Sequence, residues 1–242
     1  MIDCTILHLL DGARQAKGLT VIIDVFRAFS LECYLYDLGA SLVRPVGSVE
    51  DAFSLHEKIP GSVLIGERHG IKIEEFDFGN SPSQVEAAAE RIRGRVVIHT
   101  TSAGTQGIIN AGSADEILTG SLVNARAVAQ YIREHAGDGS RPVSIVAMGT
   151  SGRVPAAEDE LCAECIEAYV NEKEIPPSFE QRRQDLKFLD GKRFFDPSLS
   201  EHFPEKDYYM CIRQDIFPFV LRIGRDDLGF FSEKIPVLYQ DV

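Results

Sequence analysis

The 242-residue chain is 44% hydrophobic, enough for one substantial core and ordinary for a globular protein. Its 37 Asp and Glu against 25 Lys and Arg leave a net charge of −12, with acids along the whole length, a surface that repels nucleic acid and anionic lipid. No apolar run nears the roughly eighteen residues of a membrane span, no basic-then-apolar leader opens the chain, and the five scattered cysteines (Cys4, Cys33, Cys162, Cys165 and Cys211) suit reduced, buried thiols, so a soluble cytoplasmic protein is expected.

Cys4 to Leu10 reads as a short strand ending at the turn signal Asp11-Gly12. Val21, Ile22 and Ile23 then form an unbroken β-branched run, as in a strand covered on both faces, and the run ends at Asp24. A helix from about Arg27 to Leu38 stops at Gly39, Ser41 to Val46 is a strand, and Ser48 with Asp51 makes a cap for a helix ending before Pro60-Gly61. Ser62 to Gly66 is a further buried strand that runs into Glu67-Arg68-His69-Gly70. After an irregular stretch, Ser81-Pro82 supplies the cap and first residue of another helix. Arg95 to His99 is a strand that runs into the hydroxyl-rich segment Thr100 to Thr105. Asp115 to Leu118 is a short strand, Ser121 starts a regular amphipathic helix, and Val143 to Met148 is a buried strand followed by Gly149 and a helix opening near Pro155. Beyond Asn171 the pattern loosens into an amphipathic segment ending at Gly191 and strand candidates at Tyr208 to Ile212 and Phe219 to Ile223, suited to a meander or an antiparallel edge. This alternation predicts a layered α/β/α fold with a mainly parallel or mixed sheet and antiparallel additions in the C-terminal third. Residues 1–242 form a single domain or two closely packed lobes, about 1–165 carrying the motifs and about 170–242 completing the fold.

Four strand ends, at Asp24, Glu67, Thr100 and Gly149, release polar or charged residues into loops, and in a parallel sheet such loops share one edge, where ligands bind. Thr100, Thr101, Ser102, Gly104 and Thr105, ahead of an apparent helix, are a device for holding phosphate, although such loops also occur as plain turns. Asp24, Glu67, Asp77, Glu158 and Asp159 are the carboxylates best placed for a hard cation such as Mg2+, which an acidic protein needs if its ligand is an anion. For the acids at 158–160 the helix dipole offers a competing explanation, and for Asp24 helix capping does. Cys162 and Cys165 fall within a helix with no second pair, and the histidines have no ligand spacing, so zinc is not expected. The chain has no Walker loop, no GxGxxG after a strand, no GxSxG elbow, and no second Asp two residues after Asp24.

Taken together, IDVFRAFS at 23–30, GERHG at 66–70, FDFGNSP at 76–82, TTSAGT at 100–105 and AEDELCA at 157–163 resemble, in order, the blocks of the ComB family, the 2-phosphosulfolactate phosphatases. The block at 100–105 is one residue longer than the Thr-Thr-Asn-Gly-Thr of many relatives. The resemblance implies a magnesium-dependent phosphatase that converts 2-phospho-3-sulfolactate to 3-sulfolactate and phosphate on a route to coenzyme M. On this reading Asp24, Glu67 and Asp159 are catalytic, and Asp24, Glu67, Glu158 and Asp159 hold Mg2+. Arg27, Arg68, Asn80, Ser81, Thr100, Thr101, Ser102, Gly104 and Thr105 contact a small anionic phosphorylated substrate, with Arg153 a further clamp. Asp24 is either a metal ligand or a nucleophile. The competing readings are the same hydrolysis on another phosphorylated hydroxy acid and a protein that binds a phosphorylated metabolite without turnover. The aromatic-rich C-terminal third suggests a homodimer.

Overall fold

The computed structural model describes residues 2–238 except 138 and 140. In chain order it contains β1 (Cys4–His8), α1 (Leu9–Gln15), β2 (Gly18–Ile23), α2 (Ala28–Asp37), β3 (Leu42–Pro45), α3 (Val49–Lys58), β4 (Val63–Arg68) and β5 (Ile71–Lys72). There follow α4 (Pro82–Ala87), α5 (Ala89–Ile92), β6 (Val96–Thr100), α6 (Gly104–Asn110), β7 (Ala114–Gly120), α7 (Ala125–Ala136) and β8 (Val143–Ala147). The chain continues through α8 (Ala157–Val170), α9 (Ser178–Asp185), α10 (Glu205–Cys211), β9 (Phe219–Asp226) and β10 (Gly229–Pro236), with 3-10 turns between Leu186 and Leu199. Among the described residues no helix is long and apolar enough to cross a membrane, and all five cysteines are free thiols.

All ten strands join one mixed sheet in the order β1-β8-β2-β7-β9-β10-β3-β6-β4-β5. β2 is buried over its whole length because both faces are covered. Val21 and Ile23 pack with residues of α7 and α8, whereas Ile22 packs with Ala13 of α1, Ile108 of α6 and Val146. That double cover is why the run carries no polar alternation.

Three expectations are corrected. Asp11-Gly12 is not a turn: β1 ends at His8 and both residues lie inside α1. Tyr208 to Ile212 is not a strand. Asp207, Tyr208, Met210 and Cys211 are buried while Tyr209 is exposed, a helical burial period that places the segment on α10. The C-terminal antiparallel pair is also not an edge, because β9 and β10 form a hairpin in the middle of the sheet, pairing with β7 on one side and β3 on the other.

That hairpin changes how the strand ends meet. β1, β8, β2 and β7 are mutually parallel, as are β3, β6 and β4, but the two antiparallel steps at β7–β9 and β10–β3, with the turn between, make the two groups run in opposite senses. Along one flat sheet their carboxyl ends would lie on opposite edges. Sheets turn by roughly 20–25° per strand, and over the six steps from β2 to β4 this twist acts against the reversal. The connection α2, buried from Ala28 to Tyr36, runs between the two groups and carries the chain from β2 to β3. The loops after β2, β4, β6 and β8 thus converge on one cavity rather than on one edge.

Candidate active site

The cavity has a volume of about 150 Å³ and is walled by residues from all four loops and from the C-terminal third. Asp24, Glu67, Glu158 and Asp159 all line it, and each is buried, at 2 to 6% exposure. Asp24 leaves the end of β2, and its Oδ1 accepts a hydrogen bond from the Ala28 N–H at 3.1 Å. The capping reading is therefore true as well, and it fixes the carboxylate with the other oxygen toward Gly104. A Cβ on Gly104 would stand 3.0 Å from Asp24 Oδ2 and 2.9 Å from Ala28 Cβ, so only glycine lets the loop after β6 come this close.

Glu67 crosses from β4 to the same loop. Its Oε1 accepts from the Ser102 N–H at 2.6 Å, and its Oε2 accepts from the Gly70 N–H and the Ser102 hydroxyl. Asp159, in the first turn of α8, ties β2 to β8: Oδ1 accepts from the Val25 N–H and Oδ2 from the Gly149 N–H, both at 2.8 Å. Gly149 holds a positive φ of 64°, and a Cβ there would fall 2.2 Å from the Val154 carbonyl oxygen. Glu158 is less provided for, since its buried Oε2 has no hydrogen-bond partner among the described residues.

So much buried negative charge in one place raises the affinity for protons. Burial, followed by the neighbouring Glu67, pushes the Asp24 carboxyl up to about 6 against the opposing hydrogen bond from Ala28. Burial also raises Asp159, with Asp24 adding to it, and Glu158, with Asp159 and Asp190 adding to it. This donor set, all hard oxygens with an unpartnered Glu158 oxygen among them, fits a hard cation. Among the described residues, however, no three His, Cys, Asp or Glu side chains come together as a preformed metal centre. The residues present thus suit an ion held by one or two carboxylates at a time, completed by water and ligand oxygens.

The other predicted residues divide. Arg27, Asn80 and Ser102 line the cavity. Arg27 is already committed: Nη1 donates at 2.8 Å to both Asp207 Oδ2 and the His202 carbonyl, so its charge is matched inside the protein. Asn80 Oδ1 lies 3.3 Å from His99 Nε2, and the other ring nitrogen of this fully buried histidine lies 2.9 Å from Glu32 Oε1. Arg68, Ser81, Thr100, Thr101, Gly104 and Thr105 are absent from the cavity wall. Arg68 braces the strand ends, donating to the Glu67 carbonyl at 2.7 Å and the Thr100 hydroxyl at 2.9 Å. Ser81 caps α4, accepting from the Gln84 N–H. Thr101 and Thr105 exchange backbone and hydroxyl hydrogen bonds with one another, so the segment at 100–105 spends its threonine hydroxyls on its own shape and presents Ser102 and Ala103 to the cavity. Asp77 is engaged elsewhere, by Arg91 and the Leu64 N–H, and Arg153 is exposed outside the cavity wall.

Sequence reasoning missed Arg193 and Phe203, which complete the wall from the C-terminal third. The only cue was the cation beside two aromatics in Gly191-Lys-Arg-Phe-Phe195, a pattern too common to single out.

The strand-end loops of this α/β protein enclose four buried carboxylates in one cavity, at the place where such sheets bind their ligands. A family model described as 2-phosphosulpholactate phosphatase matches residues 4–225, and the chain belongs to that family. A protein of Clostridium acetobutylicum is 32% identical over 212 residues, covering 83% of this chain and 87% of the relative. One of Thermotoga petrophila is 30% identical over 204 residues, covering 81% and 85%. One of Carboxydothermus hydrogenoformans is 40% identical over 112 residues, covering 46% and 45%, so this chain spans about half the length of that relative. Each bears the name "Probable 2-phosphosulfolactate phosphatase".

Proposed function

We propose that the chain hydrolyses 2-phosphosulfolactate to 3-sulfolactate and phosphate with Mg2+, in the cytoplasm and on a route of the coenzyme M type. The observation that carries this reading is the meeting of Asp24, Glu67, Glu158 and Asp159 in one cavity of a chain that belongs to the 2-phosphosulpholactate phosphatase family. One or two of these carboxylates at a time, Glu158 with its unpartnered oxygen among them, would hold the ion, which when bound would neutralise phosphate charge and polarise the phosphoryl group.

The chain's own residues do the rest. Backbone N–H groups of Val25, Ala28, Ser102 and Gly149 fix three of the carboxylates, so their geometry is preset before substrate arrives. Attack by water on phosphorus forms one P–O bond as the ester P–O bond breaks, the water loses a proton, and the leaving oxygen gains one to become the product hydroxyl. Asp24, whose affinity for protons is raised by burial, is the carboxylate that would take that proton. Phe26 and Phe203 contribute apolar surface to the wall.

The test is phosphate release from 2-phosphosulfolactate and from other phosphorylated acids, with and without Mg2+. Release that needs Mg2+ is expected, and Asp24→Asn should lower it by on the order of 10²–10⁴ while the circular dichroism spectrum persists. Acid-quenched turnover of 32P-labelled substrate should leave no label on the protein. A 32P-phosphoryl group trapped on Asp24 would overturn direct attack by water in favour of an aspartyl-phosphate. Tight binding without release would make the protein a carrier.

A further inference from the structure

Arg27 and Arg193 both lie against the rings of Phe194 and Phe203, and both line the cavity. Arg27 sits 4.8 Å from the Phe203 centroid and is matched by the fully buried Asp207. Arg193 sits 5.1 Å from the same centroid, and among the described residues its side chain makes no hydrogen bond and no salt bridge, although its charge acts on Glu158 across the cavity. Its Nε is buried without a hydrogen-bond partner. Leaving a guanidinium nitrogen both dehydrated and unpaired costs free energy, so such a group is held ready for an acceptor that arrives from outside.

That acceptor must be anionic and must enter the cavity. Arg68 is spent on the Glu67 carbonyl and Thr100, and Arg27 on Asp207, so Arg193 is the cavity's one uncommitted arginine among the described residues. A phosphoryl group under attack belongs beside Asp24 and Glu67, where a cation would neutralise both sides. A second negative group on the same small molecule is repelled by the neighbouring carboxylates, and it gains by turning away from them to the arginine. The planar fork of a guanidinium can give two parallel hydrogen bonds to a carboxylate or sulfonate.

We propose that Arg193 is the specificity residue of this site, receiving the second anionic group of the substrate, a sulfonate or a carboxylate, so that the cavity selects phosphate monoesters carrying another anion. This rests on the phosphatase reading above and adds to it the determinant of substrate class, supplied by a segment outside the motif-bearing part of the chain.

The test compares kcat/KM of the full chain and its Arg193→Gln and Arg193→Lys variants on 2-phosphosulfolactate, 2-phospholactate and isopropyl phosphate, which carry two, one and no further anions. For Arg193→Gln the preference for the doubly and singly substituted acids over isopropyl phosphate should fall by about 10- to 150-fold. Arg193→Lys should restore part of it, because charge returns without the fork. An equal loss on all three esters would mean that Arg193 holds the phosphoryl group, and no loss would mean that it is structural; either overturns the proposal. If the unmodified chain releases phosphate from none of them, the phosphatase reading fails. The arginine is then decided by calorimetric binding of 3-sulfolactate: tenfold weaker binding by Arg193→Gln supports its role, and equal binding overturns it.

Discussion

Residues 1–165 bring four carboxylates to the cavity, whereas the C-terminal third brings Arg193, Phe203 and, one layer further back, the Asp207 that neutralises Arg27. The first region places charge by local rules, since each acid sits at a strand end or in the first turn of a helix, and Asp24, Glu67 and Asp159 are fixed by backbone N–H groups nearby in space. The second region decides which charges stay uncompensated. By giving Arg27 a buried partner and leaving Arg193 without one, it turns one arginine into a fastening and keeps the other available. Asp207 also accepts from the Ser83 N–H, so α10 is fastened at once to the loop after β2 and to α4.

Three measurements break or sharpen this contrast. The largest effect is expected from Asp207→Ala, which strands the Arg27 charge in the interior and should cost about 3–5 kcal/mol in urea unfolding, against less than about 1 kcal/mol for Arg193→Gln. A loss below 1 kcal/mol for Asp207→Ala would mean that the C-terminal third is not a fastening. Next is the pH dependence of stability without divalent cations. The Asp24 carboxyl titrates near 6 in the folded state and near 3.8 unfolded, so the folded state binds the proton more tightly. Its contribution is complete below about pH 4 and is lost as pH rises through 6. Relative to Asp24→Asn, the unmodified chain should therefore lose about 3 kcal/mol over that window. An identical pH profile for the two would remove the buried-charge account. The smallest effect is expected from Gly104→Ala, whose added Cβ meets Asp24 Oδ2 and Ala28 Cβ; about 1–3 kcal/mol of destabilisation with a displaced Asp24 is expected. Unchanged melting and unchanged activity would show that the loop has room to spare.

Much of this was legible beforehand for a physical reason. Asp24 and Glu67 interrupt apolar runs, and an acid that ends a buried strand must have a partner or a purpose. The same reasoning assigned Thr100, Thr101, Ser102, Gly104 and Thr105 to substrate, and of these Ser102 reaches the cavity wall. A hydroxyl bonds nearby backbone as readily as a ligand, and Thr101 and Thr105 do so with one another's main chain. Arg27 stood in the right place, but its partner lies 180 residues away, beyond the reach of any spacing rule.

The sequence by itself determined the alternation of strands and helices, the doubly covered β2 and the carboxylates at the strand ends, because burial period, capping and chain breakers act over a few residues. Only the tertiary structure decided that β9 and β10 join two oppositely directed groups of strands, that the strand ends nonetheless meet at one cavity, and that the Arg193 side chain has no partner there among the described residues. Strand order and charge compensation depend on which distant segments meet, and those meetings are set by packing of the whole chain.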